Sequence, residues 1–113
     1  MPFMLGTIIR NLVTGPATRR YPFKDIREPF PGFRGRIVFD TNKCVFCGDC
    51  ERVCPSQAIE VDTDRKELKY HPFRCIYCAT CVQTCLDMAI TQETVYTPPS
   101  DHKPVEVYRP ANI

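Results

Sequence analysis

Residues 44–55, CVFCGDCERVCP, and residues 75–86, CIYCATCVQTCL, each carry four cysteines at the intervals C-x2-C-x2-C-x3-C. Nothing else in the chain limits its possible folds so severely. Three cysteines within seven residues put three thiols on one tight loop, and the fourth lies just beyond it. The likeness of the runs extends outward, because IVFDTNKCVFCGDCERVCPSQAIEV overlays LKYHPFRCIYCATCVQTCLDMAITQ at a constant offset of 31 residues without a gap. Ala58 and Ile59 meet Ala89 and Ile90, while Lys43/Arg74, Val45/Ile76 and Phe46/Tyr77 are similar pairs. The pattern predicts a duplicated half related by a pseudo-twofold axis.

All eight cysteines of this 113-residue chain lie between residues 44 and 85. In a small secreted protein that density means a disulfide framework. The opening MPFMLGTIIRNLV argues against export, since it lacks a basic leader and Gly6, Thr7 and Arg10 break its apolar run. Reduced thiols in a cytoplasmic compartment are therefore expected. Nine of the eleven prolines flank the cysteine region. Residues 1–36 carry seven Lys/Arg against two Asp/Glu, and the remainder eight against eleven. The expected division is a docking arm with an amphipathic helix over 1–35, a compact domain over 36–93 and an extended C-terminal arm over 94–113.

The spacing resembles that of bacterial ferredoxins with two 4Fe-4S clusters, in which the fourth cysteine of each run ligates the other cluster. On that rule Cys44, Cys47, Cys50 and Cys85 hold one cluster, and Cys75, Cys78, Cys81 and Cys54 hold the second. Exchanged ligands keep the two clusters close, so that a pair acts as a short electron wire. Zinc is the competing reading, although four-cysteine zinc sites use separated C-x2-C pairs and fit a third and fourth cysteine in each run poorly. Val45, Phe46, Ile59, Ile76, Tyr77 and Ile90 are the residues expected to shield the clusters from water. His71 and His102 replace no cysteine of either run.

Strands are expected over 36–39 and 89–92, with 58–61 and 68–71 as a hairpin about the polar turn DTDRK. The predicted class is thus α+β, a two-cluster ferredoxin-like fold. A centre of about 60 residues has little apolar surface to bury, so bound metal is expected to supply stability. Pro55 follows Cys54 as the ferredoxin fingerprint requires, whereas Leu86 follows Cys85. No phosphate loop, dinucleotide fingerprint, nucleophile motif or carboxylate pair is present. The chain is expected to carry electrons without catalysing bond chemistry itself.

In the first arm Leu5, Ile8, Ile9, Leu12 and Val13 recur at helical spacing, and Gly15-Pro16 gives a stop signal. Such a helix lies on a membrane surface or in a partner's groove. Beyond it Arg19, Arg20, Lys24, Arg27, Arg34 and Arg36 alternate with Tyr21, Phe23, Phe30 and Phe33. Prolines with aromatic and arginine anchors suit a protein surface better than a nucleic acid. In the last arm Val105, Val107, Tyr108 and Ile113 are the candidate anchors.

The cluster motifs, the helix before them and the segment GPATRRYPFKDIREPFPGFRGRI together resemble the two-cluster ferredoxin-like subunit of respiratory complex I and its relatives in energy-converting membrane-bound nickel-iron hydrogenases. The short chain is more similar to the hydrogenase version. The resemblance implies an electron-transfer subunit, peripheral on the cytoplasmic side of the cell membrane. It relays electrons between soluble reduced ferredoxin and the proximal cluster of a neighbouring subunit, with a large subunit and membrane subunits as further partners. The alternatives are the equivalent subunit of a quinone-type relative and, less well matched by the basic arm, a free ferredoxin.

Overall fold

Short apolar runs punctuated by turn residues become short strands, and the computed structural model, which describes residues 2–21 and 23–110, builds them into two small antiparallel sheets. Strand β1 (Ile37–Phe39) pairs with β4 (Ile90–Gln92), Ile37 opposite Gln92 and Phe39 opposite Ile90. Strands β2 (Ile59–Asp62) and β3 (Glu67–Tyr70) form a hairpin with Ile59 opposite Tyr70. The Asp62 carboxylate holds the hairpin turn by accepting the N–H groups of Asp64 and Arg65 at 3.1 and 3.0 Å. This is the side-chain-to-backbone bond for which aspartate is favoured in turns. Each of these four strands lies within a residue of its expected bounds.

The C-terminal residues do more than the sequence suggests. Strand β5 (Glu106–Tyr108) pairs with β3, setting Leu68 opposite Tyr108 and Tyr70 opposite Glu106, so β3 is no longer an exposed edge. Phe39 links the two sheets, its ring 5.2 Å from that of Tyr70 and 5.1 Å from that of Tyr108. Arg109 fixes the end of β5 through a 2.9 Å contact with the Glu67 carboxylate. Of the candidate anchors, Ile113 lies outside the described residues.

Two five-residue helices, α2 (Asp49–Val53) and α3 (Thr80–Thr84), follow the cysteine loops. Each begins after a left-handed residue, Gly48 at φ 83° and Ala79 at φ 64°. The buried core comprises Ile37, Phe39, Phe46, Ala58, Ile59, Leu68, Tyr70, Cys81 and Ile90, with five further cysteines packed against it. The core and the cysteine loops are one structure.

Helix α1 (Pro2–Thr14) has every described side chain exposed, Leu12 at 83% and Val13 at 81% among them. Gly15 ends it in the left-handed conformation that closes many helices. Among the described residues no helix is long and apolar enough to cross a membrane. The described residues that follow are exposed up to Gly32, and two contacts tie this segment to residues 93–96. The Tyr21 and Tyr96 hydroxyls are hydrogen-bonded to each other. Further on, residues 35 and 36 extend the β1–β4 ladder, Gly35 N–H donating to Glu93 O and Arg36 N–H to Val95 O at 2.8 Å each. An Arg36–Glu93 ion pair at 2.7 Å accompanies them.

Gly35 is needed at that junction because a Cβ there would collide with the carbonyl oxygens of Glu93 and Val95. Both obstacles are backbone, so neither can swing aside. Gly35→Ala should therefore cost about 1–3 kcal/mol, the usual penalty for forced overpacking, read as a fall in the thermal midpoint of the cluster-loaded chain. An unchanged midpoint would mean that the strand extension bears no load.

Candidate metal centres

The two cysteine loops follow the same backbone path. Phe46 and Tyr77 sit at φ 56° and 54°, Gly48 and Ala79 at φ 83° and 64°, and Gln57 and Met88 at φ 51° and 49°. An aromatic residue in the left-handed region is strained, and such strain persists where surrounding structure demands it. Here the demand is for a curl tight enough to bring three thiols inward. After each short helix the fourth cysteine leaves the helix in an extended conformation, Cys54 at φ −73°, ψ 112° and Cys85 at φ −69°, ψ 110°. The backbone therefore turns the same way whether proline or leucine follows.

This path carries each fourth cysteine to the opposite loop. Cys44, Cys47, Cys50 and Cys85 line one cavity of about 200 Å³, with Phe46, Leu68 and Ile90 among its walls. Cys54, Cys75, Cys78 and Cys81 line a narrower one of about 10 Å³, walled by Ile37, Ala58, Ile59 and Tyr70. All eight cysteines are free thiols. Among the described residues no three His, Cys, Asp or Glu side chains gather closely enough to hold a single ion. A zinc site would bring four sulfurs to about 2.3 Å from one point. The residues support a cluster through the thiols that line each cavity, three from one run and the fourth from the other.

Of the six residues expected to shield the sites, Phe46, Ile59 and Ile90 are buried at 3–4% exposure. Val45 and Ile76 line the cavity rims with their side chains largely exposed. Tyr77 turns its hydroxyl to Thr97 Oγ1 at 3.0 Å and offers its backbone N–H to Cys75 Sγ at 3.4 Å. Matching N–H groups reach the fourth cysteines, Ala58 to Cys54 Sγ at 3.3 Å and Ala89 to Cys85 Sγ at 3.4 Å. Leu68 and Tyr70 escaped the sequence reading, although their place in the hairpin, on the face shared with Ile59, could have pointed to them.

Charge on the sulfurs is costly. Burial, reinforced by the neighbouring Cys44 and Cys81 thiols, pushes Cys50 up to about 12. Burial and the adjacent Cys75 push Cys81 up to about 11, and burial raises Cys44. At Cys54 the burial cost is outweighed by bonds from Ser56 and from backbone N–H groups, which lower it. Cys78 is lowered by the Thr80 hydroxyl and N–H, with Arg34 helping. Thiols this reluctant to ionise need a bound cation to hold them as thiolates, and iron in a cluster supplies one. The second site offers a further sign of fit: the hydroxyl of Tyr70, 1% exposed, lies beside the Cys75 thiol and has no other partner among the described residues.

Residues 36–86 match the family model of the 4Fe-4S dicluster domain. This part of the chain is a small α+β, ferredoxin-like domain of the kind that takes two 4Fe-4S clusters. The chain is similar to subunit I of NAD(P)H-quinone oxidoreductase from Cyanothece sp., with 46% identity over 55 residues, 48% of this chain and 28% of that protein. To the same subunit from Synechocystis sp. it is 39% identical over 73 residues, 59% of this chain and 37% of the other. The match thus spans roughly a third of the length of these curated relatives. Among solved structures it resembles a chain of the membrane-bound sulfane sulfur reductase, an archaeal respiratory membrane complex. That likeness has a TM-score of 0.61 at 33% identity, covering 80% of this chain and 51% of the other.

Since Cys85 already has the extended backbone that a following proline imposes, Leu86→Pro should be accommodated. The variant is expected to retain both clusters and to shift stability by no more than about 1 kcal/mol, measured by iron content and thermal melting. Loss of a cluster would mean that Leu86 is needed for ligation.

Proposed function

We propose that this chain is an electron-relay subunit of a membrane-bound complex related to respiratory complex I. It passes electrons between reduced ferredoxin and the proximal cluster of a neighbouring subunit in an energy-converting nickel-iron hydrogenase. The observation that carries the relay is the sorting of eight cysteines into two sets of four, each completed by a cysteine from the other loop. The clusters supply one-electron chemistry when bound, and the protein's part is to hold, insulate and tune them. Cys44, Cys47, Cys50 and Cys85 ligate the first, and Cys75, Cys78, Cys81 and Cys54 the second. The matching torsions at an offset of 31 support a pseudo-twofold duplicated half.

The subunit role rests on the surface outside residues 36–93. Helix α1 exposes Met4, Leu5, Ile8, Ile9, Leu12 and Val13, and the following arm exposes Tyr21, Phe23, Ile26 and Phe30. An apolar surface of that extent marks an interaction site. The arm at 1–35 docks on partner subunits beside the membrane, on its cytoplasmic side, and residues 94–113 add a second extended segment around β5. The likeness to subunits of quinone and sulfane sulfur reductases favours a second reading, in which the same relay serves an acceptor other than the proton.

Ligand exchange between the halves is tested by Cys85→Ser. The cluster among Cys44, Cys47 and Cys50 should be damaged, with iron falling by about four per chain or its spectrum changed, while the other survives. Selective damage to the Cys75, Cys78 and Cys81 cluster would contradict the assignment. The terminal acceptor is tested by resolving gently solubilised membranes on a native gel and staining the band that contains this chain for hydrogen-dependent viologen reduction. Hydrogen activity is the expected result. A large band that reduces quinone or polysulfide without hydrogen activity would replace the hydrogenase with its relative, and a small soluble species would dismiss the subunit role.

A further inference from the structure

The two sites share a backbone but differ in the polar groups set around it. At the second site Thr80 Oγ1 lies 3.3 Å from Cys78 Sγ, and Ser56 Oγ lies 3.6 Å from Cys54 Sγ. A metal-bound thiolate carries no proton, so both hydroxyls are donors to it. Tyr70 adds a third hydroxyl, buried beside Cys75 with no other partner among the described residues. Arg34 brings a guanidinium to the same loop, Nη1 to Cys78 O at 3.4 Å.

At the first site the residues 31 positions away have the opposite character. Asp49 stands where Thr80 stands, Asp87 where Ser56 stands, and Phe39, without a hydroxyl, where Tyr70 stands. Asp49 and Asp87 both line the first cavity. Asp49 is bridged to Arg52 at 2.6 Å, which screens part of its charge. Lys43 and Arg74, which precede the two runs, are alike in charge and each is paired with a carboxylate, so they do not separate the sites.

Each cluster gains one negative charge on reduction. Hydrogen bonds to the sulfurs and positive neighbours favour the reduced form, and carboxylates disfavour it. We propose that Ser56, Tyr70, Thr80 and Arg34 raise the potential of the second site, and Asp49 and Asp87 lower that of the first, so that an electron arriving from a low-potential one-electron donor comes to rest on the cluster of Cys54, Cys75, Cys78 and Cys81. The inference rests on the two-cluster reading. The transfer oxidises the first-site cluster and reduces the second by one electron, and no bond or proton moves.

The test is a redox titration of the full chain loaded with both clusters, followed by electron paramagnetic resonance. Two reduction steps are expected, favouring the second site at least tenfold, which is about 59 mV for a one-electron couple. Thr80→Val with Ser56→Ala should lower only the upper step. Asp49→Thr with Asp87→Ser should raise only the lower one. If the aspartate pair moves the upper step, or neither pair moves either step while about eight irons per chain remain bound, the inference is overturned and the two-cluster reading stands. If the chain binds no more than one cluster, both fall together.

Discussion

Eight thiols gathered in a small domain, most of them partly buried, set the terms for everything else in this structure. Cys50 and Cys81 resist ionisation because burial strips water from them and neighbouring thiols add repulsion. The same burial that makes them poor acids would suit them to a metal, because a bound cation offsets the desolvation that the protein alone leaves unbalanced. The nine-residue core has no centre apart from the cysteine loops that it surrounds. Fold and cofactor site are thus inseparable, and the hairpin, the β1–β4 pair and β5 are best understood as walls.

The walls were legible from the sequence where their signals are local. Alternating residues around the DTDRK turn specify β2 and β3, and the fixed spacing of the cysteines specifies the loops and short helices. What escaped the sequence depends on distant partners. Strand β5 has only three residues in a proline-rich segment, and its pairing with β3 becomes readable only when Tyr108 is seen against Phe39. The Tyr21–Tyr96 contact joins residues 75 positions apart and has no local mark at all.

The candidate site divides along the same line. The grouping of the eight cysteines into two candidate ligand sets is a matter of spacing and is visible at once. The roles of the residues between them are not, because position within a tight loop does not say which way a side chain turns. Phe46 and Tyr77 occupy equivalent places with nearly equal φ, yet Phe46 is buried and Tyr77 reaches out to Thr97. A phenolic hydroxyl needs a hydrogen-bond partner where a phenyl ring does not, and Thr97 supplies one at the surface.

Comparison of the two halves separates what the backbone must conserve from what side chains are free to alter. Pro55 and Leu86 follow cysteines of nearly identical torsion, so the proline reinforces a path that the backbone takes with either residue. Glycine and alanine likewise share the left-handed position before each short helix, at some cost to alanine. Against that fixed frame, the pairs Asp49/Thr80 and Ser56/Asp87 differ in charge: Thr80 and Ser56 each lie beside a sulfur, and Asp49 and Asp87 line the first cavity. Two loops that repeat one backbone path while the polar residues around them diverge offer two chemically identical cofactors unequal surroundings, which a short electron wire needs if it is to have a direction.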